Sequence, residues 1–317
     1  MAVLLILLGV LAGGALGVWA TLKAVAKLRR KGFYLLANDV VDVRIQPREP
    51  QVLRFAALGD IGTGDANQAR VAGTLRRLCA QGQCDLVLLL GDNFYERGVS
   101  SIRDAKFARI FEQVYGGIAQ PFLPVLGNHD VKQDALAQVL YSLVNPAWRM
   151  PNFSYQFELP WVRFFAVNST VSLLAWMALR RKLQADPQRW TIVYGHHPLY
   201  GTGTQGDMDW PSRAYWHRHL QRHVDVYLSG HDHQLELLGI PGQHTRYVIS
   251  GAGGSHYRDH PREPSPWRHT HAQSAFVHRD NGLAWFEVTP QQITLRFLDA
   301  EGGLLHQSRW SKGDAAP

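Results

Sequence analysis

The chain has 317 residues, of which 46% are hydrophobic and 19% are charged, and its formal net charge is +7. This length and hydrophobic content can bury a large core, so the composition excludes a mainly disordered chain and fits one large α/β domain as well as two small ones. Most of the positive excess lies in one cluster, Lys23, Lys27 and residues 29–31, with no acidic residue before Asp39. A nucleic-acid-binding surface is therefore not expected, because the excess is local.

The N-terminal stretch, residues 2–22, contains no charged residue. As a helix it would be about 31 Å long, which is enough to cross a bilayer core. It is either an uncleaved single-pass membrane anchor or a cleaved signal sequence, and the absence of Lys or Arg before the apolar run favours the anchor. Gly9, Gly13 and Gly17 recur every four residues. This spacing lets two helices approach closely, so a homodimer through this face is a further hypothesis.

The sequence divides into four segments: the anchor or signal sequence at 1–22, a basic juxtamembrane segment and linker at 23–50, the main domain at 51–300 and a polar tail at 301–317. The basic cluster follows the apolar run, which by the positive-inside tendency places the main domain in the cytoplasm. Cys79 and Cys84 could instead close a disulfide in an oxidising compartment, or remain free thiols, and no function is assigned to them.

The main domain alternates strands and helices, a pattern typical of one layered α/β domain. Strands are predicted at 52–58, 85–90, 122–126, 161–167, 190–194, 224–228 and 247–250, with a closing hairpin formed by 283–288 and 293–298. Helices are predicted at 66–79, 102–114, 134–143, 172–184 and 211–222, the last opened by a proline in its first turn.

Polar side chains follow a glycine at the end of several of these strands. The apolar run 86–90 ends at Gly91, which Asp92, Asn93 and Tyr95 follow. The same pattern places further candidate ligands at Asp60, Asn128, His129, His196, His197, His231 and His233. One acidic residue after a strand is usually a turn former, but the recurrence points to a site at the carboxyl edge of a sheet.

These donors have a chemistry that suits metal ions. Asp, Asn and His offer oxygen and nitrogen donors that bind Fe, Mn, Zn or Ni. The set is too large for one ion, so we expect two ions that share a carboxylate, an arrangement that assists phosphoryl displacement. Tyr95 is either packed under its loop or a ligand. A phenol, with a pKa of about 10, ligates only when a strong Lewis acid such as Fe(III) ionises it.

Each of these strand ends forms a short block, and the five blocks are 59–60, 91–95, 127–130, 195–198 and 230–233. In this order they resemble the calcineurin-like metallophosphoesterases, over roughly residues 51–254. Tyr95 in the second block resembles the purple acid phosphatase branch, in particular its small single-domain form. The resemblance implies an α/β fold of four layers, two mixed sheets packed face to face with helices outside, and makes 51–300 a catalytic domain.

The resemblance also implies roles for individual residues. It places an Fe(III) ion on Asp60, Tyr95 and His233, and a divalent ion (Fe, Zn or Mn) on Asn128, His196 and His231. Asp92 would bridge the two ions, and a metal-bound water or hydroxide would be the nucleophile. His129 would face the substrate phosphate and either hydrogen-bond it or protonate the leaving group. Asn93 would support the ligands from behind or contact substrate.

The sequence departs from the family pattern at two places. Gln205 stands where relatives often carry a second substrate-facing histidine, which puts leaving-group protonation and an acid pH optimum in doubt. Residues 168–170 stand where relatives often have an acidic residue and a longer insertion, so the substrate rim is expected to be shorter. His197 is expected either to support the metal ligands or to be a satisfied buried histidine.

The leading functional prediction is a phosphomonoesterase of the acid phosphatase type acting on a small phosphate ester. The alternative is a phosphodiesterase or pyrophosphohydrolase of the same superfamily, acting on nucleotide or lipid-linked substrates. A third possibility is a non-catalytic membrane scaffold, which the complete set of ligand residues disfavours. The side of the membrane stays open, because family habit favours the outside and the basic flank favours the inside.

Overall fold

The computed structural model describes residues 43–171, 179, 183–184, 186–257 and 272–312. The predicted anchor with its glycine repeat, the basic cluster, most of the predicted helix 172–184 and the last five residues lie outside these ranges. Within the described ranges, no helix combines the length and apolar content needed to cross a membrane.

In the part of the chain that the structure describes, thirteen strands form the framework: β1 (Leu53–Leu58), β2 (Leu86–Leu89), β3 (Phe122–Pro124), β4 (Tyr155–Leu159), β5 (Val162–Ala166), β6 (Trp190–Tyr194), β7 (Val226–Ser229), β8 (Leu235–Gly239), β9 (Arg246–Ser250), β10 (Gln273–His278), β11 (Gly282–Val288), β12 (Gln292–Asp299) and β13 (Leu304–Ser311). They make two mixed sheets, ordered β13-β12-β11-β1-β2-β3 and β10-β8-β9-β7-β6-β5-β4. β1, β2 and β3 run parallel, as do β5, β6, β7 and β9. Every residue of β2, β6 and β7 is buried, as expected for strands covered on both faces.

The two sheets face each other across one apolar core. The ring of Phe55 on β1 meets the ring of Phe164 on β5 edge-on, with centroids 5.4 Å apart. Phe164 in turn stacks on Phe157 of β4 at 4.5 Å, and Phe55 stacks on Phe286 of β11 at 4.8 Å. Aromatic pairs in these geometries add to the energy of burial, so this row of rings ties the sheets together.

Helices cover the outer faces. α1 (Ala66–Ala80) begins at Asp65, whose carboxylate accepts the N–H groups of Asn67 and Gln68 at 3.0 and 3.1 Å. A π-helical turn (Phe107–Glu112) leads into the short α2 (Gln113–Tyr115), and α3 (Ala135–Tyr141) follows β3. α4 (Trp210–His223) has proline in its first turn, as predicted.

The structure corrects several sequence predictions. The predicted strands and the closing hairpin are present, but β4, β8 and β10 were missed. The predicted tail 301–317 is wrong for residues 304–311, which form β13 and pair with β12. The end of the predicted linker packs on the domain, since the N–H of Arg48 donates to Asp85 Oδ1 at 3.0 Å. Cys79 and Cys84 are buried free thiols, and no disulfide joins them.

Candidate metal centre

The parallel strands of both sheets deliver their carboxyl ends to one place. Asp60 and Asp92 follow β1 and β2, while His196 and His231 follow β6 and β7. Asp60, Asp92 and His231 have positive φ angles of 58°, 51° and 70°. Left-handed backbone is costly for residues other than glycine and persists where the surroundings impose it, often at functional sites. Three of the predicted ligands therefore sit at strained strand ends.

Two glycines let these ends approach. A Cβ on Gly127 would lie 2.1 Å from Oδ1 of Asp92, and one on Gly91 would lie 2.7 Å from Nδ1 of His196. Gly91 also has a φ of 88°. Any side chain at either position would displace a predicted ligand, so the glycines that end these strands are required by the packing of the site.

The first predicted metal site brings together three donor atoms. The hydroxyl of Tyr95 donates to Asp60 Oδ1 at 2.9 Å and lies 3.3 Å from His233 Nε2. His233 Nε2 is 3.5 Å from the same Asp60 oxygen. The other ring nitrogen, Nδ1, is 2.8 Å from the carbonyl oxygen of His256 and must donate to it. Burial opposes protonation of His233, but the Asp60 carboxylate raises its pKa; in the neutral ring that a metal ion requires, Nε2 carries the lone pair.

The second predicted site is built around His196. Its Nε2 lies 3.0 Å from Asn128 Oδ1, 3.1 Å from His231 Nδ1 and 3.5 Å from Asp92 Oδ2. Its Nδ1 is 2.9 Å from the carbonyl oxygen of Leu90 and donates to it, so the Nε2 lone pair faces the other donors. Burial holds the pKa of both His196 and His231 well below the usual value, so both rings are neutral, as metal ligands must be.

Asp92 lies between the two groups. A carboxylate oxygen of Asp60, one of Asp92 and a ring nitrogen of His196 all lie within 4.8 Å of one another. Burial, then the Asp60 and Asp130 carboxylates, raises the pKa of Asp92 well above its usual value. These groups border the main cavity of the structure, and no Lys or Arg is among the described residues that line it. A buried group of carboxylates without a lysine or arginine partner fits bound metal cations.

The pKa of Tyr95 also indicates a bound metal cation. Burial, and then the carboxylates of Asp60 and Asp92, raises this pKa well above the ordinary value for a phenol. Without a cation beside it the side chain stays protonated and is a poor ligand. Ionisation therefore needs a strong Lewis acid at this position.

His129 forms part of the wall of the main cavity, whose volume is about 580 Å³. Its Nδ1 lies 2.6 Å from the carbonyl oxygen of Glu96 and donates to it, while Nε2 is 4.0 Å from Asp92 Oδ2. The main-chain N–H of His129 also donates to Asp92 Oδ1 at 2.8 Å. Burial, with a contribution from the Lys132 ammonium, lowers the pKa of His129. The ring is thus positioned beside the predicted bridging carboxylate and lines the main cavity, while its role toward a substrate stays a prediction.

Asn93 does not reach the cavity, so the substrate contact that the sequence left open for it is wrong. Its buried side chain donates to the Val125 carbonyl at 2.8 Å and to Gln138 Oε1 at 3.0 Å. Its main-chain N–H donates to Asp130 Oδ2 at 3.0 Å, and that oxygen also accepts the N–H of Gly127 at 2.8 Å. Asn93 and Asp130 therefore fix the loops that carry Asp92 and Asn128.

His197 and Gln205 lie at a second, smaller cavity of about 310 Å³. His197 Nδ1 is 2.8 Å from Ser169 Oγ, and its ring centroid is 4.7 Å from that of His231. Burial lowers the pKa of His197 to about 4. Gln205 is exposed and lines both cavities, while its main-chain N–H donates to Asp232 Oδ1 at 2.8 Å.

Sequence reasoning missed most of the groups that orient the ligands. The carbonyl oxygens of Leu90, Glu96 and His256 fix three histidine rings, and a main-chain acceptor has no signature in the sequence. Asp130, directly after a predicted ligand pair, is the exception that the spacing could have revealed. All seven predicted ligands nevertheless meet in one place, although their roles as ligands stay a prediction.

Two mixed sheets whose edges both carry candidate metal ligands define the class of metallophosphoesterases. Comparison with known proteins gives the same class. Residues 53–235 match the calcineurin-like phosphoesterase family. The chain belongs to this family.

Two curated relatives are phosphomonoester hydrolases. Tartrate-resistant acid phosphatase type 5 of Oryctolagus cuniculus is 28% identical over 308 residues, covering 82% of this chain and 91% of the relative. Purple acid phosphatase 17 of Arabidopsis thaliana is 26% identical over 310 residues, covering 88% and 91%. Among solved structures, GAP50, the anchor in the inner membrane complex of Plasmodium, shares the fold with a TM-score of 0.69 and 22% identity, covering 83% of this chain and 90% of that one. The chain is thus a metal-dependent phosphatase with a candidate dinuclear centre.

Proposed function

We propose that the protein is an acid-phosphatase-type phosphomonoesterase whose dinuclear centre contains Fe(III). The position of Tyr95 carries this proposal, because its hydroxyl lies 2.9 Å from Asp60 Oδ1 and 3.3 Å from His233 Nε2. A phenol held between a carboxylate and an imidazole, rather than against apolar side chains, fits a ligand to a hard trivalent ion. Two bound ions would supply Lewis acidity toward the phosphate ester and the attacking water.

The chain's own residues would bind and orient the ester. His129 keeps its Nδ1 hydrogen on the Glu96 carbonyl, and its Nε2 lies 3.3 Å from Lys132 Nζ, so Nε2 would donate to a substrate oxygen when the ring is protonated. The cavity of about 580 Å³ has the size of a small-molecule site. Thr63, Asn128 and Ser255 line it as neutral polar groups. A small phosphate monoester is therefore the proposed substrate class.

Metal analysis and a visible absorption spectrum of the purified full-length chain test this proposal. The expected result is iron near one equivalent and a tyrosinate-to-iron charge-transfer band that Tyr95→Phe abolishes. Tyr115→Phe is the matched control, because Tyr115 is a buried tyrosine that lies outside the predicted ligand set. A colourless, active protein with two Mn or Zn ions would overturn the Fe(III) assignment.

The phosphodiesterase alternative keeps one supporting observation, the exposed Gln205 at the cavity wall. An amide cannot protonate a leaving group, which weakens the case for monoesters with poor leaving groups. Hydrolysis of mono- and bis-nitrophenyl phosphate by the same preparation separates the two activities. A higher kcat/KM for the diester would favour the alternative.

We also propose that residues 2–22 attach the enzyme to a membrane. The uncharged run of 21 residues supports this proposal, while the side on which the catalytic domain lies is left to experiment. Carbonate extraction of membranes should leave the full-length chain in the pellet. Protease protection of sealed vesicles would then identify the side. Release of the chain into the supernatant would contradict the anchor.

A further inference from the structure

Ser169, in the loop after β5, has three hydrogen-bonding neighbours at its hydroxyl oxygen. The main-chain N–H groups of His196 and His197 both lie 3.0 Å from Oγ, and His197 Nδ1 lies at 2.8 Å. A serine hydroxyl has two lone pairs and one hydrogen. The two N–H groups occupy the lone pairs, so the hydroxyl hydrogen is donated to His197 Nδ1.

This arrangement fixes the tautomer of His197. Since Nδ1 accepts a hydrogen bond, the neutral ring carries its hydrogen on Nε2. The neighbouring His196 has the opposite tautomer, because its Nδ1 lies 2.9 Å from the Leu90 carbonyl oxygen and must donate to it. Of two consecutive histidines, one therefore directs a lone pair at the predicted metal site and the other offers an N–H donor.

The ring of His197 lies beside a cavity in which its N–H donor can bind a ligand. With Gln205 and His231 it lines the smaller cavity, and those two residues also line the main cavity, so the two spaces adjoin. The ring centroid of His197 is 4.7 Å from that of His231. Among the described residues, the ring of His197 has hydrogen-bonding partners on Ser169 alone, and no side chain of these residues forms a hydrogen bond with Nε2. A ring nitrogen of His197 lies within 4.8 Å of ligand atoms of His196 and His231, so the donor stands at the edge of the predicted metal site, a position that suits an oxygen anion.

We propose that His197 is a substrate-binding residue whose Nε2–H donates to a phosphoryl oxygen of the ester, and that it is not a third metal ligand. His197 thereby supplies the imidazole that relatives often carry where this chain has Gln205. The inference rests on the proposed function, because it assumes a phosphoryl group in the main cavity.

Two substitutions distinguish the effect of the Nε2–H donor from the effect of the ring's volume. His197→Phe keeps the volume and removes Nε2–H, while His197→Gln places an amide nitrogen close to the position of Nε2. A hydrogen bond to a charged group corresponds to a change of roughly ten- to a hundredfold in binding. His197→Phe should therefore raise the Kd for inorganic phosphate and the KM for nitrophenyl phosphate by about that factor. His197→Gln should return both to within a few-fold of wild type.

Metal content and ring chemistry give readouts that do not depend on turnover. Both variants should keep the metal stoichiometry of the wild type, because the proposed donor binds no ion. In a zinc-substituted, 15N-histidine-labelled full-length chain, the NMR signals of His197, assigned by their loss in His197→Gln, should show hydrogen on Nε2. Loss of one ion in His197→Phe, or hydrogen on Nδ1, would overturn the proposal.

The remaining outcomes are also decisive. Unchanged phosphate affinity and KM in His197→Phe would show that the ring only packs. If the wild type hydrolyses neither nitrophenyl ester yet binds phosphate in a His197-dependent way, the proposed function fails and the assignment of His197 stands. If the wild type hydrolyses the monoester and His197→Phe matches it, the assignment of His197 fails alone.

Discussion

The main-chain N–H of His231 donates to Oδ2 of Asp60 at 2.7 Å, and this bond joins the ends of β7 and β1, strands of different sheets. The other oxygen of Asp60 accepts the Tyr95 hydroxyl at 2.9 Å. One carboxylate thus links the two sheets and takes part in the first predicted metal site. The geometry of the centre is therefore coupled to the docking of the sheets.

Removing the metal ions should lower thermal stability, because the geometry of the centre is coupled to the docking of the sheets. The Asp60 and Asp92 carboxylates are buried side by side, and bound cations would offset their repulsion. A ligand at about a hundred times its Kd raises the free energy of unfolding by about 2.7 kcal/mol. Chelation should therefore lower Tm by roughly 5–10 °C. Differential scanning fluorimetry before and after chelation, with metal added back, measures it. An unchanged Tm in protein shown to be metal-free would contradict the expectation.

Asp92→Asn should abolish phosphatase activity while the fold is retained. The amide keeps one oxygen but loses the charge of the predicted bridge, so we expect a fall in kcat of at least about a thousandfold and a lower metal content. Asp85→Asn is a matched control, since Asp85 is a buried carboxylate that accepts the N–H groups of Arg48 and Arg54 outside the site. Circular dichroism checks the fold. Full activity of Asp92→Asn with its metals retained would refute the bridging role.

Gln205→His should help substrates with poor leaving groups selectively. Gln205 is exposed and lines the main cavity, so an imidazole fits there and can protonate a leaving oxygen. We expect kcat for an alkyl phosphate to rise by about tenfold, while kcat for nitrophenyl phosphate, whose leaving group needs no proton, stays within a factor of about two. Gln205→Asn serves as the control. Equal gains on both esters would show that the new histidine acts otherwise.

Truncation should show that the C-terminal strand belongs to the domain. Removing residues after 301 deletes β13, exposes the edge of β12 and breaks the ion pair of Lys312 with Asp225, whose Nζ and Oδ2 lie 2.7 Å apart. An exposed edge strand promotes aggregation. We expect a chain ending at residue 301 to aggregate or melt earlier, and a chain ending at 312 to behave as wild type. Identical melting of both would mean that β13 contributes nothing.

The sequence made the strand ends predictable because a buried parallel strand is a nearly continuous apolar run, and the glycine that follows it stops the run visibly. β13 was missed since it is a polar edge strand in which Trp310 alone is buried. β8 was missed because it follows His233 after a single residue, too closely for a turn signal. The tautomers of His196 and His197 depend on Leu90 and Ser169, contacts that only the folded chain creates.

The pairing of β1 has a consequence for how the enzyme is made. Its partners are β2, which follows it closely, and β11, whose residues 282–288 lie more than two hundred positions later in the chain. A ribosome has therefore translated every predicted ligand, up to His233, before it releases the strand that closes the sheet around Asp60. The sheet that carries Asp60 and Asp92 is therefore completed only after all seven predicted ligands have been synthesised.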